Sequence, residues 1–156
     1  MREVTMISDV RTISLSEQPI AVIKDRARQS ELSTKIPDYC GKVWNFIQAR
    51  KDIHSNGRMI ATYRGSDVND LQIEVGAQVE APFKSDGPVT SSATPACTAA
   101  MVTIEAPYSE LHKAYDKLFG WCKQNNRQTG LCWELYHHPE PHPAPPKTDL
   151  FVELKS

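Results

Sequence analysis

Two stretches of this chain repeat one another, and that duplication limits the possible folds more than any other feature. Gly57-Arg58-Met59-Ile60-Ala61-Thr62-Tyr63 matches Gly130-Leu131-Cys132-Trp133-Glu134-Leu135-Tyr136, with Gly and Tyr at the same spacing. A polar loop follows each, then Asp70-Leu71-Gln72-Ile73-Glu74-Val75 and Asp149-Leu150-Phe151-Val152-Glu153-Leu154. Three of these six positions are identical and two more exchange one aliphatic for another. A helical pattern precedes each glycine. The repeating unit is strand, helix, strand, strand, at about residues 18–80 and again at about 96–156, within one domain of 1–156.

The first helix is expected from about Pro37 to Lys51. Cys40, Val43, Trp44 and Ile47 recur at i, i+3, i+4 and i+7 and so share a face. Pro37 suits a first helical turn, where its missing N–H costs nothing. Ser55-Asn56-Gly57 is the expected stop. The second helix is expected to start near Ser109, a capping residue after Pro107-Tyr108. Its stripe is Leu111, Ala114, Tyr115, Leu118 and Cys122, widened by Phe119 and Trp121, and Asn125-Asn126 closes it.

Strands are expected at Pro19 to Asp25, Arg58 to Tyr63 and Leu71 to Val79 in the first repeat. Ala99 to Glu105, Leu131 to Tyr136 and Leu150 to Leu154 serve the second. Gly76 inside a strand implies a bulge or a close backbone approach. The stretch Ala81 to Pro95 is rich in Pro, Ser, Thr and Gly and is expected to be a connecting loop. Five prolines between Pro139 and Pro146 mark a stiff excursion between two strands. Two such units predict an α+β fold with pseudo-two-fold symmetry, a largely antiparallel sheet and two helices.

Composition excludes several classes. Of 156 residues, 40% are hydrophobic and 24% charged, so the chain is not disordered. Eighteen Lys+Arg balance nineteen Asp+Glu, leaving no net positive field for a nucleic acid or an anionic membrane. Both helices are consumed by the repeats, so no helix is left over as a DNA-reading element. Apolar runs fall far short of the roughly 20 residues that span a bilayer. Met1-Arg2-Glu3 leads into mixed polar sequence without a signal-peptide core, so a cytoplasmic location is expected. In that setting Cys40, Cys97, Cys122 and Cys132 are expected as reduced thiols, with Cys40 and Cys122 acting as small core hydrophobes.

Chemistry concentrates at Glu134. It stands in a strand otherwise without formal charge, and its repeat-mate is Ala61, so the fold itself does not demand a carboxylate there. Alternation puts Cys132, Glu134 and Tyr136 on one face and Leu131, Trp133 and Leu135 on the other, leaving open which face meets the helices. The aromatics Trp44, Tyr63, Tyr108, Trp121, Trp133 and Tyr136 recur at matched places in the two repeats. Rings beside a carboxylate suit a lipophilic cation, because ring quadrupoles attract the charge and the carboxylate neutralises it. His137, His138 and His142 lie in the Pro-rich excursion without a carboxylate or Cys at ligand spacing, so no metal is expected. No phosphate-binding glycine loop or nucleophile elbow is present in the sequence, and no cofactor is expected.

Pro107-Tyr108-Ser109-Glu110-Leu111, then Tyr115, Leu118 and Trp121, then Trp133-Glu134-Leu135-Tyr136 and Asp149 to Leu154 resemble the second half of the GyrI-like effector-binding family. Ile36-Pro37, Val43-Trp44 and the Asp70 to Gly76 strand resemble its first half. That family includes gyrase-inhibitor-like proteins and the sensor domains of AraC-type and MerR-type multidrug-responsive regulators. The resemblance implies a duplicated βαββ fold with two helices flanking a central groove. It further implies binding of amphipathic or cationic small molecules there, with Glu134 as the ligand-facing carboxylate and the aromatics as walls. This sequence departs from the pattern at Ala106, where Gly is common, and at Tyr115, where Trp is common. Without the regulators' DNA-binding domain, the resemblance implies a stand-alone sensor or sequestering module. Two alternatives come with it. One is a hydrolase of reactive electrophilic small molecules, with Glu134 as general base and Tyr108 or Tyr136 orienting the substrate. The other is a gyrase-inhibitor-like interaction module.

Overall fold

Every expected strand and helix is present, and three short strands are added to them. The computed structural model describes residues 5–65, 67–137 and 145–155. Along the chain come β1 (Met6–Ile7), β2 (Arg11–Leu15), β3 (Gln18–Ala27), α1 (Leu32–Ala49), β4 (Met59–Arg64), β5 (Leu71–Gln78) and β6 (Thr90–Thr94). The second repeat continues with β7 (Cys97–Glu105), α2 (Leu111–Gln124), β8 (Gln128–Tyr136) and β9 (Lys147–Lys155). This is a mixed α+β fold built on two βαββ repeats, and the strand pairs within each repeat are antiparallel. Among the described residues no helix is long and apolar enough to cross a membrane.

Two compact units form, Ser16–Ala96 and the stretch from Cys97 onward together with the N-terminal strands. In the first, β4, β5, β3 and β6 lie side by side. In the second, β8, β9 and β7 do, and both β1 and β2 add to the free edge of β7. The expected loop from Ala81 to Pro95 is thus corrected, since it contains β6. Thr-Ser-Ser-Ala-Thr has no apolar alternation, and the ladder with β3 makes it a strand.

Each helix covers one face of its own sheet. Under α1, Val43 and Ile47 pack on Ala21, Ile23, Ala77 and Val79. Under α2, Ala114, Leu118 and Cys122 pack on Ala100, Val102, Leu150 and Val152. Leu118 is fully buried, and such a side chain contributes roughly 1.5–3 kcal/mol. Cys122 sits in this core as a small hydrophobe, while Cys40 is half-buried on α1.

Helix α1 begins five residues before Pro37, so the proline lies inside the helix. Its missing N–H leaves the Ser33 carbonyl without a helical partner, at an exposed position where solvent can serve. The start is set instead by a 3-10 turn at Gln29–Glu31, where the Arg28 N–H donates to Glu31 Oε1 at 2.8 Å. Ser109 likewise does not cap α2. It lies within the 3-10 turn Tyr108–Glu110, and its carbonyl accepts from His112 Nδ1. The far end of α2 follows expectation. Asn126 adopts φ 54°, its N–H bonds the Lys123 carbonyl, and the Arg127 N–H bonds the Cys122 carbonyl, a Schellman closure with Asn in the left-handed position.

The ladders also place the two repeats in register. Ala61 pairs with Val75 and Glu134 with Leu150. If Ala61 and Glu134 are equivalent, the counterpart of Val75 is Leu150, not Leu154. The match between Asp70–Val75 and Asp149–Leu154 is therefore displaced by four residues along the strand. An even displacement keeps inward residues inward, which is why the similarity survives it.

Candidate ligand site

Strand β8 carries the site. A bulge between Thr129 and Cys132 interrupts its pairing with β9, and the Leu131 N–H donates to Glu153 Oε1 there at 3.1 Å. Beyond the bulge the ladder is regular, so alternation from Cys132 to Tyr136 is strict. Cys132 belongs to the cluster under α2, so its face, with Glu134 and Tyr136, is the one that meets the helix. Glu134 shares a cross-strand row with Leu150 and Val102, both fully buried.

Glu134 itself is only 5% exposed. A carboxylate so placed loses its water and needs hydrogen-bond donors in return. Two phenols supply them. The Tyr136 hydroxyl donates to Oε1 at 2.5 Å, and the Tyr115 hydroxyl, reaching down from α2, donates to Oε2. Two O–H donors aimed at separate oxygens are the arrangement an ionised carboxylate accepts.

More rings extend from this pair. Tyr108 meets Tyr136 edge-on, with centroids 5.8 Å apart, and is itself 54% exposed. Tyr115 stacks on Phe119 at 6.2 Å, one helical turn away, and Phe119 is 41% exposed. The order Tyr108, Tyr136, Glu134, Tyr115, Phe119 thus forms an arc of rings with a carboxylate at its centre and its two ends in solvent.

Cys132 reports on the same surroundings. Burial first, and then the charge of Glu134, push its thiol up to about 12. Burial pushes Cys40 up to about 11. Thiols so shifted carry almost no thiolate at neutral pH. Iodoacetamide at neutral pH is therefore expected to leave both unlabelled in the native protein and to label them after urea unfolding. Mass-spectrometric mapping of the labelled peptides checks this.

The structure brings together three of the seven ring and carboxylate residues expected from sequence: Glu134, Tyr136 and Tyr108. Trp133 points to the opposite sheet face, where it stacks on Phe151 at 5.3 Å and is 3% exposed. Trp121 packs at the edge of the α2 core and lines an open depression with Asp9, Val10, Asp116 and Lys117, apart from Glu134. Trp44 and Tyr63 belong to the other unit, where Trp44 packs on the α1 core. Matching Val43 to Ala114 and Ile47 to Leu118 makes Trp44 the counterpart of Tyr115, and Tyr63 that of Tyr136. Tyr115 and Phe119 were legible only as members of a helical stripe. A polar aromatic at the margin of such a stripe was the signal for Tyr115.

On the far face of β8 and β9, His137 Nε2 lies 2.9 Å from Asp149 Oδ2, and Asp149 Oδ1 accepts from Thr103 Oγ1 at 2.6 Å. His138 and His142 lie outside the described residues. Among the described residues no group of three His, Cys, Asp or Glu side chains is placed to hold a metal ion.

The fold is two βαββ units, one of them holding a ring-lined carboxylate. The chain belongs to the GyrI-like small molecule binding domain family, whose model matches residues 8–155. No curated protein matches it in sequence. Among solved structures it is similar to the EcmrR C-terminal domain, at TM-score 0.73 and 18% identity, covering 98% of this chain and 99% of that one. The EcmrR–DNA complex gives the same TM-score and identity, covers 97% of this chain, and is spanned by it over 57% of the EcmrR length. SAV2435 bound to tetraphenylphosphonium is similar at TM-score 0.69 and 9% identity, covering 95% of this chain and 94% of that one.

Proposed function

We propose that this protein binds lipophilic organic cations, with Glu134 as the charge partner and the rings of Tyr108, Tyr115 and Tyr136 as walls. The observation that carries the reading is a carboxylate 5% exposed, held by two phenols at the centre of an aromatic arc. Removing an ion from water costs several kcal/mol, and hydrogen bonds offset only part of that. A cation placed beside Glu134 regains Coulomb energy in a poorly solvated setting, and each desolvated ring face adds up to about 2 kcal/mol. A neutral guest would gain from the rings alone. Support by likeness of fold comes from SAV2435, whose structure holds tetraphenylphosphonium.

Hydrolysis with Glu134 as general base is the less favoured reading. A base must take a proton from water, and that water would have to compete with the two phenols that donate to Glu134. Multidrug binding, as a sensor or a sequestering protein, fits the cation reading without further chemistry.

Isothermal titration with tetraphenylphosphonium tests it. The native protein is expected to bind, and Glu134→Gln, which keeps the shape and removes the charge, is expected to weaken binding by more than about tenfold, or about 1.4 kcal/mol. Equal affinity for the two proteins would remove Glu134 from the role of charge partner.

A further inference from the structure

A second concave surface, apart from Glu134, lies between α2 and the connection from β1 to β2, within one compact unit. It is an open depression of about 470 Å³, with Asp9 and Val10 on one side and Asp116, Gly120, Trp121 and Gln124 on the other. Its two walls are tied together. Lys117 Nζ donates to the Ser8 carbonyl at 2.8 Å, and the Thr103 N–H donates to Ser8 Oγ at 2.9 Å. Val10 and Trp121 pack against the core under α2, which anchors both sides. We propose that this depression is a separate binding site for the guanidinium group of a small molecule, which lies over Gly120, against the Trp121 indole, and donates to Asp116.

Three features of the depression select that chemistry. Asp116, Gly120 and Gln124 stand four residues apart and so form one line along α2. Gly120 leaves a notch in the middle of that line. A Cβ built on it meets no atom within 4 Å, and alanine favours a helix over glycine, so no packing within the chain calls for glycine here. The second feature is charge. Asp9 and Asp116 face a single cation, Lys117, whose ammonium is spent on the Ser8 carbonyl and lies 3.7 Å from Asp9. Among the described residues the Asp116 carboxylate has neither an ion pair nor a hydrogen bond. The third is Trp121, half-buried and so held in place beside the notch. A guanidinium matches all three. It is flat enough to lie on an indole, its N–H fork fits a carboxylate, and it is more weakly hydrated than an ammonium, which decides the choice at a site this open to water.

Titration followed by amide and indole NMR tests this, with N-acetyl-arginine amide as the probe and N-acetyl-citrulline amide as its uncharged match in shape. The Trp121 indole signal, identified by its loss in Trp121→Phe, is expected to shift saturably with the arginine probe. The citrulline probe is expected to bind about tenfold more weakly. Asp116→Asn, on the exposed side of α2, is expected to weaken the arginine probe by about threefold. Gly120→Ala separates function from structure. It is expected to raise the melting temperature by about 2–4 °C and yet to weaken the probe by about threefold or more. A more stable Gly120→Ala with unchanged affinity overturns the proposal, as does equal binding of the two probes. No saturable shift at Trp121 overturns it as well. Shifts centred on Tyr108 and Tyr136 would place the guanidinium in the aromatic arc, which removes the depression as its site and leaves the cation reading of Glu134 standing.

Discussion

Replacing Gly76 with alanine is expected to destabilise the protein by more than about 3 kcal/mol, one of the two largest single-residue effects the structure predicts. Gly76 lies in β5, paired with Val22 on one side and Ile60 on the other. A Cβ built there would stand 1.9 Å from the Ala21 carbonyl oxygen and 3.0 Å from the Val22 Cα. Those are backbone atoms of β3, which cannot rotate aside as a long side chain would. Relief requires β3 and β5 to separate, at the expense of ladder hydrogen bonds beside the fully buried Ala21 and Val22. For a chain of this size the melting temperature should fall by roughly 6–12 °C. A scan showing Gly76→Ala within about 1 °C of native would mean that the strands close on each other less tightly than described. The sequence pattern allowed either a bulge or a close approach at this glycine. Unbroken pairing on both sides decides for the close approach.

Ala61→Glu is the second large effect, with an expected loss of at least about 3 kcal/mol. Ala61 is the repeat-mate of Glu134 and has no exposure at all. Its cross-strand row is Val75 and Ile23, both buried, on the face that α1 covers. Tyr63 stands where Tyr136 stands in the other unit, but Trp44 replaces Tyr115, so the second phenol is missing from the set that compensates Glu134. A carboxylate placed there would be desolvated in an apolar row. Ala61→Met is the control, since it adds similar volume without charge. Urea unfolding of both variants separates the cost of size from the cost of charge. Equal midpoints for Glu and Met would show that the first unit can house a carboxylate as the second does, and that the asymmetry between the units is not energetic in origin.

Much of the fold was legible because duplication and period are local properties. The stripes Cys40–Val43–Trp44–Ile47 and Ala114–Leu118–Cys122 mark helix faces whatever they pack on. Gly57 and Gly130 with their following tyrosines mark equivalent strands. The strands β1, β2 and β6 were not legible, because Met-Ile, Arg-Thr-Ile-Ser-Leu and Thr-Ser-Ser-Ala-Thr are strands only by virtue of the edges they pair with. The start of α1 was misread for a related reason. Pro37 is a good first-turn residue by preference, but the hydrogen bond from Arg28 to Glu31 opens the helix earlier.

The sequence by itself determined that two βαββ units exist and that Glu134, with no charged repeat-mate, is where they differ. It could do so because repeat spacing, side-chain period and charge are carried by neighbours along the chain. Only the tertiary structure decided which face of β8 meets a helix, that Tyr115 reaches from α2 to one carboxylate oxygen while Tyr136 takes the other, and that Trp133 turns away to stack on Phe151. Those contacts join residues on different elements, and alternation along one strand is silent about what lies across from it.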